Sequence, residues 1–516
     1  MSDPSRTIKR ATIGIALIVL VSKAIGFVRE MVIAYHFGTN PEYDVYLVAV
    51  SIPIAFFALV SGLSNLIIPV YSKAAADDNR GVLFSALWKN INTLLGGIII
   101  ITLSIIVFSE EIIRFSAPGF TSGQVADAAE ICRIASIIIV MGYLETFFRS
   151  ALNCEKQFFL PAAGPIGANI VFIAIVLLFS GQYSTHAVMI GLVSGYAVQM
   201  LVVFLAFRSC AVVKFFKPAI SFFSHRRFYA VAVIILLIEA ASQLYTIIDR
   251  YFASSLPDGV ISALGYTYIL FMLPVSVFAY ALSTAIFPYL SDSFVKKDNK
   301  ATSELLSRGI SITLLLSIPI GLLFWVFSRE IVILVFQRGA FDAQSAELTA
   351  RLLKYFALGI TGHSLITLMY RAYYAANQYK GLILSVLAAI GIKIGLVYCL
   401  IPSIGDISLA ISSSVSYSVS GILLMSMSGR YLAPIDWKRI FEYFIKISAA
   451  VIVGYFFASY LQDRFIAAYS DASELIWRMP AVMIITVIVM GLCGYILRLR
   501  EVLEFTDKLM RKSQRR

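Results

Sequence analysis

The chain has 516 residues, of which 59% are hydrophobic and 14% charged, with a formal net charge of +12. A soluble chain carries about 25% charged residues, so this composition excludes an ordinary soluble enzyme. Continuous apolar runs recur from end to end, many of them about 20 residues long and able to cross a bilayer core of ~30 Å; their continuity excludes a β-barrel, whose strands alternate.

The expected fold is an all-α polytopic membrane protein with about fourteen transmembrane helices. The first apolar run follows a basic start, SDPSRTIKR, but meets no small-residue cleavage site, so it is expected to stay as the first helix rather than leave as a signal peptide. The expected spans are 11–36, 45–69, 90–109, 131–152, 159–180, 186–207 and 228–254, then 261–289, 309–328, 350–375, 381–401, 406–428, 440–461 and 478–497.

Positive charge tests this arrangement, because cytoplasmic loops are enriched in Lys and Arg. Even-numbered connections hold Lys73 and Arg80, Lys156, the stretch from Arg208 to Arg227, Lys296, Lys297 and Lys300, Lys380, and Arg430, Lys438 and Arg439. Odd-numbered ones such as TNPEYD (39–44), GQYSTH (181–186), SSLPDG (254–259) and PSIGD (402–406) hold no Lys or Arg; EEIIRF (110–115) and DASELIWR (471–478) are acidic or mixed. Both termini are therefore expected in the cytoplasm. The basic residues are spread over short loops, which argues against nucleic acid as a partner. The tail after Arg498 fits either an amphipathic helix on anionic lipid or a solvated tail.

An internal repeat relates the two parts of the chain. Arg29 precedes Pro53 by 24 residues and Arg250 precedes Pro274 by 24, and the stretches end alike in LSNLIIPVYS (63–72) and LSTAIFPYLS (282–291). This predicts two pseudo-symmetric six-helix lobes, 1–220 and 221–430, two additional C-terminal helices in 431–500 and a basic cytoplasmic tail, 501–516. Two such halves suit a carrier that opens to alternate sides.

Charges inside spans are costly and mark cavities or partners. The stretch SKAIGFVREMVIAYHFG (22–38) carries Lys23, Arg29 and Glu30. Lys23 and Glu30 are seven residues apart, nearly eclipsed and ~10 Å apart along a helix axis. Cations on one helix wall suit an anionic, phosphate-bearing headgroup; the competing structural account is an intramembrane ion-pair network. Asp44, Asp249, Arg250 and Arg371 lie near span ends, where anchoring is the simpler role. Glu145 and Arg149 are four apart and can neutralise each other. Glu239 is deep, which fits either proton or cation coupling or an internal pair, for example with Lys393 of the eleventh span.

No HExxH, Walker A or G-x-S-x-G pattern occurs, and the histidines and cysteines are dispersed. No catalytic residue, metal or cofactor is expected, and transport would draw on membrane potential, H+ or Na+.

The sequence resembles the MurJ/MviN lipid II flippases of the larger MOP exporter superfamily. The resemblance is carried by IGFVREMVIAYHFG (25–38) with Asp44 and Pro53, APGF (117–120), SQLYTIIDRYFASSLPDGVISALGY (242–266), LSTAIFPYLS (282–291), LVFQRGAFD (334–342) and MYRAYYAANQ (369–378). It implies alternating access and a cargo of undecaprenyl-pyrophosphate-linked sugar, moved across the bacterial cytoplasmic (inner) membrane. It also implies membrane lipids and cell-envelope biosynthesis proteins as partners. Arg29 would contact the pyrophosphate, Lys23 stands where the family has another cation, and Asp44 matches the second-helix acid. Three departures stand out. SIPIAFFAL (51–59) lacks the family's second-helix cations, YTYIL (266–270) puts Ile269 where an Arg is expected, and QYKG (378–381) replaces T-x-T-P. A cavity with fewer cations also fits an exopolysaccharide or O-antigen repeat-unit flippase. A drug or cation antiporter of the same superfamily and a non-transporting membrane scaffold are the remaining alternatives.

Overall fold

The computed structural model describes residues 4–62, 80–155, 157–208, 226–465 and 472–504. Among them the secondary structure is helical, with no strand, as hydrocarbon requires of segments that must satisfy their own backbone groups. Lys73, Lys156, LSNLIIPVYS (63–72), most of the basic stretch 208–227 and the tail beyond 504 lie outside the described residues.

The chain divides into two compact units, Met1–Ser262 with Arg338–Phe341, and Ala263–Gln337 with Asp342–Arg516. The first holds α1 (Pro4–Phe37), α2 (Pro41–Gly62), α3 (Arg80–Val107), α4 (Ser109–Ser116), α5 (Ser122–Ala135), α6 (Ile137–Cys154), α7 (Phe159–Tyr183), α8 (Thr185–Arg208) and α9 (Arg226–Ala253). Next, α10 (Val260–Pro274) leads through a π-turn at Val275–Ala279 into α11 (Tyr280–Val295). The second unit continues with α12 (Asn299–Val326), α13 (Ser328–Phe336), α14 (Ala343–Phe356), α15 (Ile360–Ala375), α16 (Tyr379–Ile404), α17 (Ile407–Tyr431), α18 (Trp437–Phe465) and α19 (Ala472–Ile496).

Among the described residues, eleven helical stretches are long and apolar enough to cross a membrane, or twelve if 94–107 of α3 and α4, bent by 73°, form one broken span. The other two expected positions, the first and seventh, are held by α1 and α9, of 34 and 28 residues. The bend differs from the expectation that EEIIRF is connecting chain. Its Glu110–Arg114 ion pair (3.0 Å) at i,i+4 supports a short polar helix there. Pro274 and the π-turn that follows it show the expected cost of a mid-span proline, a locally widened helix.

In the first unit α7 packs on α8 and α1, α6 on α8, and α2 on α5, α6 and α9. Small residues permit the close approaches: a Cβ on Gly195 would stand 2.9 Å from the Ala168 carbonyl. The loops at the end of α1 are knitted together. The Ala340 amide donates to the Tyr35 carbonyl (2.8 Å), and the Gly119 amide to Ser254 Oγ (3.2 Å). Gly38 has φ +51°, and a Cβ there would lie 2.3 Å from the Ala340 carbonyl oxygen. Gly38→Ala is therefore expected to cost about 1–3 kcal/mol, read as a lower melting temperature of the detergent-purified protein. In the second unit α16 packs on α17, α15 on α17, α12 on α15 and α18, and α18 on α19. The start of the tail docks on this unit: Glu504 pairs with Arg308 (2.6 Å) and Glu501 with Arg439 (3.6 Å).

Candidate functional site: an arginine-centred cavity in the first unit

The helical stretch 22–38 places Arg29 and Glu30 side by side on α1, where α1 crosses α7. Arg29 Nε donates to Glu30 Oε1 at 3.0 Å and its Nη2 also bonds that oxygen. Arg29 Nη1 donates to Asn169 Oδ1 on α7 (3.1 Å), and the guanidinium lies 5.2 Å from the Phe172 ring centroid. One edge, one terminal nitrogen and one face of the fork are thus held by this chain, which fixes a long side chain in a single geometry.

Arg29 forms one wall of a cavity of about 180 Å³ between α1, α7 and α8. Its other polar walls are Asn169, Tyr196 and Gln199, and Phe172 and Leu192 are among the apolar ones. Gln199 Nε2 donates to Glu145 Oε1 (3.2 Å), and the other carboxylate oxygen of Glu145 is 3.3 Å from Arg149 Nη2. The i,i+4 spacing on α6 had implied this pair, and Gln199 links it to the cavity. The arrangement places one guanidinium, paired with Glu30, beside several uncharged hydrogen-bonding groups in a partly enclosed space, a setting that an anion could enter in place of that carboxylate.

The other candidate residues are placed elsewhere. Lys23 is exposed, seven residues before Glu30 and outside this cavity's lining. Asp44 is 4% exposed and accepts from the Gly259 amide (2.7 Å), the Ser262 amide (2.7 Å) and Ser262 Oγ (2.5 Å). It therefore caps the N-terminus of α10 from a distant part of the sequence. Arg250 on α9 lies within electrostatic reach of Tyr43, Tyr46, Asp44 and its neighbour Asp249. Glu239 packs into the space left by Gly62. In the second unit the Arg371 guanidinium sits 5.0 Å from the Tyr280 ring centroid, and Lys393 is fully buried on α16.

Sequence reasoning missed Asn169, Phe172, Tyr196 and Gln199. For the two amides the available signal was a single polar side chain inside a long apolar run, GANIVFIAIV and GYAVQMLVV, which in a membrane helix usually faces another helix or a cavity.

A solved structure titled a multidrug resistance MATE family transporter of the MOP superfamily, inward-facing, superposes with a TM-score of 0.65 at 12% identity, over 81% of this chain and 98% of that one. A structure titled lipid II flippase MurJ, inward closed conformation, superposes with a TM-score of 0.75 at 21% identity, over 93% of this chain and 98% of that one. The fold is the helical, multi-span fold shared with these two solved structures. Within that class, the probable lipid II flippase MurJ of Thermotoga maritima is 27% identical over 451 residues, 86% of this chain and 89% of its own. The lipid II flippase MurJ of Burkholderia cenocepacia is 27% identical over 461 residues, 86% and 88%. The chain belongs to the lipid II flippase MurJ family, whose model matches residues 33–490.

Proposed function

We propose that this chain moves lipid II, an undecaprenyl-pyrophosphate-linked sugar precursor, from the cytoplasmic to the outer leaflet of the bacterial inner membrane by alternating access. The observation that carries the proposal is the Arg29 guanidinium, held by Glu30 and Asn169 at the wall of a cavity whose other polar lining is uncharged, because a fork-shaped donor matches the geometry of a phosphate. The pattern of Lys and Arg across the connections supports cytoplasmic termini. Sequence-related halves 1–220 and 221–430, with 431–500 and 501–516 appended, supply the moving parts of this reading. Coupling to membrane potential, H+ or Na+ drives it, and enzymes of cell-envelope biosynthesis deliver and take up the cargo. Asp249, Arg250, Arg371, Lys393 and Glu239 serve as coupling or structural charges.

A second reading is favoured by one observation. Ile269 and the second-helix stretch SIPIAFFAL remove cations that the family resemblance implies, and the cavity's other polar walls are amides and a phenol. Those groups suit an exopolysaccharide or O-antigen repeat unit on the same lipid carrier. Expression in a strain depleted of its lipid II flippase, beside a polysaccharide-export mutant, separates the two. Rescue of the first is the expected result, and rescue of the second alone would overturn the lipid II assignment.

A further inference from the structure

The Arg29–Glu30 pair raises a question that the flippase reading leaves open. A guanidinium recognises carboxylate and phosphate alike, through two parallel N–H donors on one edge. In this structure the Nε–Nη2 edge is already occupied by Glu30, and Nη1 is engaged by Asn169. Glu30 is adjacent in sequence, so it is present at very high effective concentration and cannot diffuse away. It is also largely shielded, with 14% of its side chain exposed against 32% for Arg29. Of the three groups that hold Arg29, Glu30 and Asn169 are acceptors and Phe172 is an aromatic face, so every held position opposes or duplicates what an anion would bring.

We propose that Glu30 is a built-in competitor of the cargo's diphosphate for Arg29, setting the affinity of the site low enough for release. The inference rests on the flippase reading. An arriving phosphate oxygen takes the side edge of the guanidinium only as Glu30 swings off it, and the departing phosphate is replaced by the returning carboxylate. Asn169 holds Nη1 through both states, so the fork does not follow Glu30 when it leaves; it is a positioning residue. A carrier gains from such an arrangement because affinity differences are mostly differences in dissociation rate, so an unopposed guanidinium would release its cargo slowly.

The test uses the full-length protein in detergent, with inorganic pyrophosphate as the probe in titration calorimetry. Glu30→Gln keeps the shape and removes the competing charge, and it is expected to tighten pyrophosphate about 10-fold, equivalent to ~1.4 kcal/mol. The same variant is expected to rescue the depleted strain poorly, because release is slowed. Glu30→Asp, which restores the carboxylate, is expected to return affinity towards the unmodified protein. Asn169→Ala is expected to weaken pyrophosphate in both the native and the Glu30→Gln background, with an unchanged melting temperature. Unchanged or weaker binding by Glu30→Gln, at an unaltered melting temperature, would overturn the competition. If that occurs while the unmodified protein rescues the depleted strain, the competition fails alone. If rescue is absent for every form, the flippase reading itself has failed.

Discussion

Replacing Arg29 by alanine is expected to abolish rescue of a lipid II flippase-depleted strain and to weaken pyrophosphate binding by ~100-fold or more. Two hydrogen bonds to a charged acceptor are lost, each contributing about 1.5–3 kcal/mol, in a space whose remaining polar walls are uncharged. The single substitution also leaves Glu30 without its partner, so the Arg29→Ala, Glu30→Gln double variant is the control. It removes the whole ion pair and should fold with a melting temperature near the unmodified protein, yet stay inactive. Arg29→Lys keeps the charge but not the fork and should fall between the extremes. Full rescue by Arg29→Ala would rule out contact between this side chain and the cargo.

The second large effect concerns stability. Asp44→Ala should lower the melting temperature steeply, because three donors converge on one buried carboxylate. Buried backbone amides left without an acceptor cost about 1–3 kcal/mol each, so loss of the Gly259 and Ser262 partners sums to roughly 2–6 kcal/mol. Asp44→Asn retains one acceptor oxygen and should recover part of this. An Asp44→Ala variant that melts with the unmodified protein would show that the cap is dispensable. Activity will fall with stability, and the two separate in a melting series: variants that unfold early yet bind pyrophosphate normally in the cold have lost the cap alone.

Much of this organisation was legible in the residues, and the reasons differ from place to place. Among the described residues, helices stand where apolar runs predicted them, since backbone satisfaction in hydrocarbon leaves few other outcomes. The Glu145–Arg149 pair followed from i,i+4 spacing, and the adjacency of Arg29 and Glu30 was visible in the sequence itself. What escaped was whatever depended on partners far away in the chain. Asp44 meets groups more than 200 positions later, so its capping role had no local signature. Asn169 and Gln199 are neutral and isolated, and neither hydropathy nor charge counting weights them. The bend between α3 and α4 was hidden because EEIIRF is polar enough to pass for connecting chain.

The loop residues 338–341 have a consequence for how the protein is made. They complete a unit that is otherwise contiguous up to residue 262, and the 75 residues from 263 to 337 belong to the other unit. At roughly 5–20 residues per second, the ribosome takes several seconds to deliver the segment that hydrogen-bonds the Tyr35 carbonyl. During that interval the early helices must wait in the membrane with one rim unfinished. A nascent chain held on the ribosome before 338–341 leave the exit tunnel should therefore expose that rim to protease, whereas one long enough for them to have left it should protect it.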